Sequence, residues 1–287
     1  MSEDIKYKEL FDYSYYPILE EIQVDAWRFA DREIVPSRIM FATHRSGGVV
    51  IAAFLDDYIV GYVWGWIGLD VSKDVFIYSH HNAVRRVHQD KGIGMQLKIE
   101  QKKWAQNRDY KIINWTFDPL QSKNCYINIH KLGAICNNYK LRYWGEMHDE
   151  LNEGIDTDRF YCTWHINSEH VHTRLTRNFT DYSNIINREQ NHAIITNIVD
   201  GRLTINKTKL NVSEPTVFVE IPDNFSELLI KNQTLAKKWR AESRKVFTHY
   251  FNQGYVAGDF VLDKKTSPRK CYHVLELHDS IQLEVMD

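Results

Sequence analysis

The chain predicts an α/β fold: a mixed central sheet flanked by helices over residues 1–167, followed by an α/β extension over 168–287. Three features carry this expectation. Two β-branched and aromatic runs, Val49 to Leu55 and Ile59 to Ile67, are separated only by Asp56-Asp57-Tyr58, the pattern of a β-hairpin. A third strand-like run, Val75 to Val84, leads through Gln89-Asp90-Lys91-Gly92-Ile93-Gly94 into a segment whose apolar residues Ile93, Leu97, Ile99 and Trp104 recur at roughly helical spacing. Beyond it, helix and strand patterns alternate, which argues for a mixed sheet with helices on its faces.

Ahead of the hairpin, Tyr16, Leu19, Ile22, Val24, Ala26 and Trp27 form a helical stripe between Tyr7 and about Val35, with Pro17 in the first turn. Ile112 to Phe117 reads as a buried strand and Asp118-Pro119-Leu120 as a turn. Ser122 or Asn124 then caps a helix bearing Tyr126, Ile127 and Ile129, which stops at Leu132-Gly133-Ala134. Tyr161 to Trp164 is strand-like. Past Ser168 the polar residues Asn178, Thr180, Asn184, Asn187 and Asn191 mark a connection. Strands at Ala193 to Val199 and Thr216 to Pro222, a helix from about Asn232 to Phe251, and strands at Val256 to Leu262 and Tyr272 to Leu277 complete the chain. This closing order of strand, helix, strand, strand repeats the back half of the first segment, although any strand-helix-hairpin module would produce it.

The 287 residues suffice for one large domain or two smaller ones. With a formal charge of -2, acids and bases nearly balance, which leaves no basic field for holding nucleic acid nonspecifically. The start of the chain, Met1 to Lys8, is polar, and no run reaches the length of a membrane span, so a cytoplasmic protein without membrane attachment is expected. Cys125, Cys136, Cys162 and Cys271 contain no Cys-x-x-Cys pair and read as reduced thiols. Thirteen histidines are present, but His80-His81 and His170/His172 lack the spacing of metal ligands, so no metal is expected.

The chemistry centres on the glycine turn. A strand that turns through two glycines into a helix leaves backbone N–H groups aimed at one point, with the positive end of the helix dipole behind them. An anionic diphosphate fits there. The spacing matches neither the dinucleotide-binding fingerprint nor the P-loop; the plain alternative is that Gly92 and Gly94 only shape a tight connection.

The pattern Gln-x-x-Gly-x-Gly at 89–94 resembles the acyl-CoA-binding motif of the GNAT N-acyltransferase superfamily. Asn124 and Leu132-Gly133-Ala134 fall where that superfamily has an Asn and a Leu-Gly-Phe-like helix end. From about Tyr58 to Trp164 the chain is similar to a little-described subgroup of predicted GNAT-like acyltransferases. The similarity lies in Tyr78-Ser79-His80, Trp115 to Gln121, Tyr143 to Met147, Leu151-Asn152 and Thr157 to Arg159. The resemblance implies acetyl-CoA or another acyl-CoA as donor, an amine-bearing acceptor, and direct attack in a ternary complex. It implies cofactor contacts from Asn82, Ala83, Val84, Gln89, Asp90, Lys91, Gly92, Ile93, Gly94, Met95 and Asn124, with His81 to Val84 and Ile112 to Thr116 as the strands that splay around the cofactor arm. Lys91, Arg85 and Arg86 are the cations in reach of its phosphates. The extension after 168 then reads as a degenerate second GNAT-like half, and a homodimer is compatible with the whole.

Many members place a Tyr four residues before the last glycine to protonate the leaving thiolate. Here the position is Ile129, so Tyr126, three residues earlier, is the candidate acid. His80 and His81 are candidate bases, one on each strand face by simple alternation. Asp118 and Glu146 are candidates for holding a cationic amine, Glu146 also for catalysis, and Cys125 is a candidate acyl-accepting nucleophile. Two rival readings remain: a noncatalytic acyl-CoA sensor, and a tandem transferase using another donor such as aminoacyl-tRNA.

Overall fold

Residues 4–145, 147, 154–263, 266 and 268–284 are described by the structure, a computed structural model. They form two compact units, Met1–Trp115 and Thr116–Asp287.

Unit 1 contains β1 (Ile5–Glu9), α1 (Tyr16–Trp27), α2 (Ser37–Arg45), β2 (Val49–Leu55), β3 (Tyr58–Leu69), β4 (Val75–Val84), α3 (Ile93–Gln106) and β5 (Ile112–Phe117), within which the chain passes into unit 2. The strand order is β1-β2-β3-β4-β5. All neighbours are antiparallel except β4 and β5, which pair in parallel. The expected hairpin is present: Leu55 pairs with Tyr58 across a two-residue turn, with Asp56 in the left-handed region at φ 53°. Helices cover both faces. Val50, Ala52, Phe54, Tyr62 and Trp64 pack against Tyr16, Leu19 and Ile22 of α1 and Met40 of α2. On the other face α3 packs on β2, β3 and β4. Leu19, Ile22 and Met40 are fully buried, each worth about 1.5–3 kcal/mol.

The N-terminal stripe departs from expectation at three places. Ile5–Glu9 is an edge strand rather than part of a helix, Val24 is exposed, and a second helix, α2, follows. Pro17 does sit in the first turn of α1, where its missing N–H costs nothing.

Unit 2 contains α4 (Ser122–Cys125), a π-helical turn (Tyr126–Lys131), β6 (Ile135–Lys140), β7 (Arg159–His165), α5 (Glu169–Leu175), β8 (Ile194–Val199), β9 (Arg202–Thr208), β10 (Thr216–Ile221), α6 (Phe225–Lys231), α7 (Gln233–Asn252), β11 (Tyr255–Asp263) and β12 (Lys270–Leu277). Its strands run β7-β6-β11-β12-β10, with β8-β9 as a separate hairpin. Helix α7 starts at Asn232, whose side chain accepts from the Leu235 N–H at 3.0 Å, an N-cap of the expected kind. It buries Ala236, Trp239, Arg240, Ser243, Val246, Phe247 and Tyr250 along one face.

Sequence reading placed a boundary after residue 167, whereas the compact units divide at 115/116. The physical reason is shared burial. Phe160 of β7 meets Phe247 of α7 edge-on at 4.7 Å, and Cys136 of β6 pairs with Ala257 of β11, so β6 and β7 have their core in common with the C-terminal elements.

Candidate functional site

The glycine turn is built as the sequence predicts. Gly92 is the N-cap of α3 at φ 83°, and no side chain caps the helix. The first intrahelical bond runs from the Gln96 N–H to the Gly92 carbonyl at 3.0 Å. The N–H groups of Ile93, Gly94 and Met95 therefore point out of the helix end, where partial positive charge accumulates. Two side chains brace the turn. Asn82 Nδ2 donates to the Gly94 carbonyl at 2.9 Å, and Gln89 Nε2 donates to the Val84 carbonyl at 3.0 Å. Asp90 adopts φ 65°, Lys91 is exposed, and Ala83 and Val84 are buried.

Arg85 and Arg86, adjacent to the turn in sequence, are directed elsewhere. Arg85 binds the Ile59 carbonyl at 3.0 Å and pairs with Glu21 at 3.3 Å, and Arg86 binds Asp25 through its N–H and its Nε. Both are held to α1 rather than offered to a phosphate.

Beside the turn, the parallel pairing of β4 and β5 covers Ile77↔Ile113 and Tyr78↔Asn114 and extends no further among the described residues. The parting begins after Tyr78, so Ile113 and Asn114 belong to the paired part rather than to the splay assigned to them from sequence. A β-bulge coincides with it. Trp64 pairs with His81 and Gly65 with Ser79, which makes His80 the extra residue of β4 and bends the strand locally.

The bulge overturns the expected alternation. His80 and His81 do not face opposite sides: their rings stack at 4.6 Å and both lie 5.2 Å from Trp64. Trp66 lies 5.0 Å from His80, and Trp27 of α1 meets His81 edge-on at 4.8 Å. His81 Nδ1 is also bonded to Tyr62 Oη at 2.9 Å. Burial pushes the His80 pKa down to about 4 and the His81 pKa well below its ordinary value, with the neighbouring His80 adding to the latter. Both imidazoles are neutral at physiological pH and too weakly basic to hold an ammonium proton, which weighs against the role of general base.

A residue missed from sequence stands on the opposite face. Lys98 of α3 is buried; its Nζ donates to Ser79 Oγ at 2.8 Å and lies 3.6 Å from the Trp115 ring centroid. Ser79 and Trp115 are the first residues of β4 and β5 beyond the paired part. A lysine on an amphipathic helix reads as solvent-facing, so only the packing reveals this amine at the point of divergence.

The remaining candidates belong to unit 2. Asp118 is buried and receives Arg240 on both oxygens, Nη1 to Oδ1 at 2.8 Å and Nη2 to Oδ2 at 2.5 Å, with the Leu120 N–H also on Oδ1 at 2.8 Å. Burial acts to raise its pKa, but Arg240, Arg159 and the Leu120 amide outweigh that and hold it below the usual carboxylate range. This is a structural ion pair, with both carboxylate oxygens already engaged before any substrate amine arrives. Glu146 lies outside the described residues.

Helix α4 is capped at Gln121, not at Ser122 or Asn124. Ser122 Oγ donates to the Asp223 carbonyl, and Asn124 is exposed. In the π-turn that follows, Ile129 is fully buried, while Tyr126 stacks on His130 at 4.8 Å. His130 Nδ1 in turn meets Asp259 Oδ1 at 2.8 Å, a partner 129 residues away that no local pattern signals. The four cysteines are buried thiols in no disulfide, and burial pushes the Cys125 thiol well up, which leaves it a poor nucleophile. Among the described residues no group of three or more His, Cys, Asp or Glu is placed to hold a metal, and no helix is long and apolar enough to cross a membrane.

The site thus joins a helix start without a side-chain cap, with Gly92 at the N-cap and Gly94 in the first turn, to a parallel pair that parts at a bulge. Residues 13–130 match the family described as "Acetyltransferase (GNAT) family". Among solved structures the chain is similar to a putative GNAT-family acetyltransferase from Desulfovibrio desulfuricans (12% identity, 57% of this chain and 99% of the other, TM-score 0.46). A GNAT-family acetyltransferase from Elizabethkingia anophelis with acetyl-CoA bound is 18% identical over 57% of this chain and 99% of the other, with TM-score 0.44. The ribosomal-protein-S18-alanine N-acetyltransferase from Escherichia coli is 12% identical over 57% of this chain and 94% of the other, with TM-score 0.46. No curated protein sequence matches the chain significantly.

Proposed function

We propose that this protein is a CoA-dependent N-acyltransferase, using acetyl-CoA and transferring its acyl group to an amine by direct attack in a ternary complex. The observation that carries this reading is the parting of β4 from β5 at the His80 bulge, next to the open N-terminus of α3. The amides of Ile93, Gly94 and Met95 would receive the diphosphate, and exposed Lys91 would add charge at the rim. Past Tyr78, the backbone of β4 offers groups along which the pantetheine arm can lie as an added strand does. A backbone N–H at the bulge is suited to polarise the thioester carbonyl, the largest electrostatic requirement of acyl transfer.

The acceptor would approach on the α1 and α2 face, where Trp27, Trp66 and His80 are half-buried. Aromatic faces stabilise a cationic amine on arrival. The ammonium proton leaves to water before attack, and neutral His80 accepts a hydrogen bond from the resulting amine. The amine nitrogen bonds to the acyl carbon as the C–S bond breaks, and CoA departs as a thiolate that takes its proton from water.

Calorimetric titration with acetyl-CoA, longer acyl-CoAs and CoA, followed by CoA-release assays over a panel of amines, tests the proposal. Acetyl-CoA binding with amine-dependent CoA release supports it. Tight binding without release for any amine would favour the noncatalytic sensor, and no binding would end both readings.

A further inference from the structure

At the far end of α3 from Gly92, unit 1 has a second concavity of about 440 Å³. Fourteen residues of helix lie between the two ends, about 20 Å at 1.5 Å per residue, so this pocket is separate from the glycine turn. A sharp turn forms one side: Gly47 takes φ 99°, and a Cβ on Gly48 would come within 2.5 Å of the Gly65 carbonyl oxygen, so the end of α2 lies directly on β3.

The floor of the pocket is Glu9. Its Oε1 accepts from His44 Nε2 at 3.0 Å and from Trp104 Nε1 at 2.8 Å, and His44 is held in turn by Tyr16 Oη at 2.6 Å. Its Oε2 faces Arg108 at 3.6 Å, beyond hydrogen-bonding length, and keeps acceptor capacity. Burial acts to raise the Glu9 pKa, but the bonds from His44 and Trp104 and the charge of Arg108 outweigh it and hold the carboxyl below its ordinary range. The floor is therefore a fixed anion near neutral pH.

Two cations stand around it. Arg45, in the last turn of α2, is exposed and enters none of the ion pairs among the described residues. The Arg108 guanidinium lies 4.2 Å from the Trp104 ring centroid. The wall is aromatic: Tyr110 stacks on Trp104 with centroids 5.9 Å apart and planes 11° apart, and Phe11, 60% exposed, leans on the His44 ring at 5.5 Å. A simple cation entering here meets two guanidinium groups, and a simple anion meets the Glu9 carboxylate. A molecule carrying both charges a few ångströms apart, with an apolar body, satisfies all three groups and the wall.

We propose that this pocket binds a free α-amino acid, its carboxylate held by Arg45 and Arg108, its ammonium by Glu9 Oε2, and its side chain against Phe11, Trp104 and Tyr110. The site involves none of the residues of the glycine turn and does not depend on the acyltransferase reading.

The test is saturation-transfer NMR and calorimetry of the full chain with each proteinogenic amino acid in turn, with acetate and methylamine as single-charge probes. At least one amino acid binds, more tightly than acetate or methylamine, and Arg45→Ala and Arg108→Ala each weaken it roughly tenfold or more, the worth of a charge-assisted hydrogen bond. Arg45 is exposed, so its variant reports on the site even if Arg108→Ala disturbs the packing of Trp104. Three results would overturn the proposal: no amino acid binding, acetate binding as tightly as any amino acid, or an affinity unchanged by both substitutions.

Discussion

His80 and His81 are consecutive residues of a strand, yet their rings stack at 4.6 Å with 25° between their planes. Adjacent side chains in a regular strand point to opposite faces. The stack exists because His80 is the extra residue of a bulge, and the same irregularity stands where β4 leaves β5. One added residue thus brings two imidazoles against Trp64 and opens a backbone edge. A defect in the ladder supplies the opening along which the cofactor arm is proposed to lie.

The turn gives the first prediction. A Cβ on Gly94 would make ordinary contacts at 3.7 Å with Asn82 and Val84, whereas Gly92 is locked in a left-handed conformation. Gly94→Glu should therefore fold normally while placing a carboxylate among the amides proposed to receive a diphosphate. Acetyl-CoA affinity should fall by on the order of a hundredfold, about 3 kcal/mol for a like charge a few ångströms away. Unchanged affinity by calorimetry, with unchanged melting temperature, would remove the phosphate site from α3.

Acid stability follows from the buried imidazoles. His80 ionises near 6.5 in the unfolded chain but only near 4 in the folded protein, so between those values the unfolded state binds more protons. Its contribution is whole above about pH 6.5 and is lost as pH falls through 4, roughly 3 kcal/mol in total. His81, His170 and His273 shift in the same direction. Denaturation of His80→Gln at neutral and acid pH should show a smaller loss than the parent; equal losses would mean that His80 titrates as if exposed.

The Asp118–Arg240 pair should matter through folding. Arg240→Met leaves a buried carboxylate with its principal partner gone, which costs about 3–5 kcal/mol. Urea denaturation measures this, and Asp118→Asn combined with Arg240→Met should recover part of the loss. A stability change below 1 kcal/mol in the single variant would mean that the pair is hydrated in solution.

Restoring the family's tyrosine should not restore an acid. Ile129 is fully buried, so Ile129→Tyr overpacks the core and should destabilise the protein by about 1–3 kcal/mol without raising turnover. A faster transfer rate in this variant would show that the π-turn can present position 129 to the thiolate.

Local sequence was sufficient for everything set by local rules. The Asp56-Asp57 hairpin, the entry of α3 through Gly92, and Pro17 at the start of α1 each depend on the conformational preferences of neighbouring residues, and all were legible. β9, α6 and β6 escaped because their burial patterns are irregular: β9 and β6 each bury few residues, and α6 is barely two turns long.

What the sequence by itself determined was a strand, a two-glycine turn and an amphipathic helix, because backbone geometry and periodicity are written within a dozen residues. Tertiary structure alone decided which polar groups stay available. Asp118 was claimed by Arg240, Arg85 and Arg86 by α1, and Lys98 by Ser79 and the face of Trp115, through partners as much as 122 residues away. Desolvation and pairing depend on what surrounds a side chain in space, and a one-dimensional pattern does not contain that information.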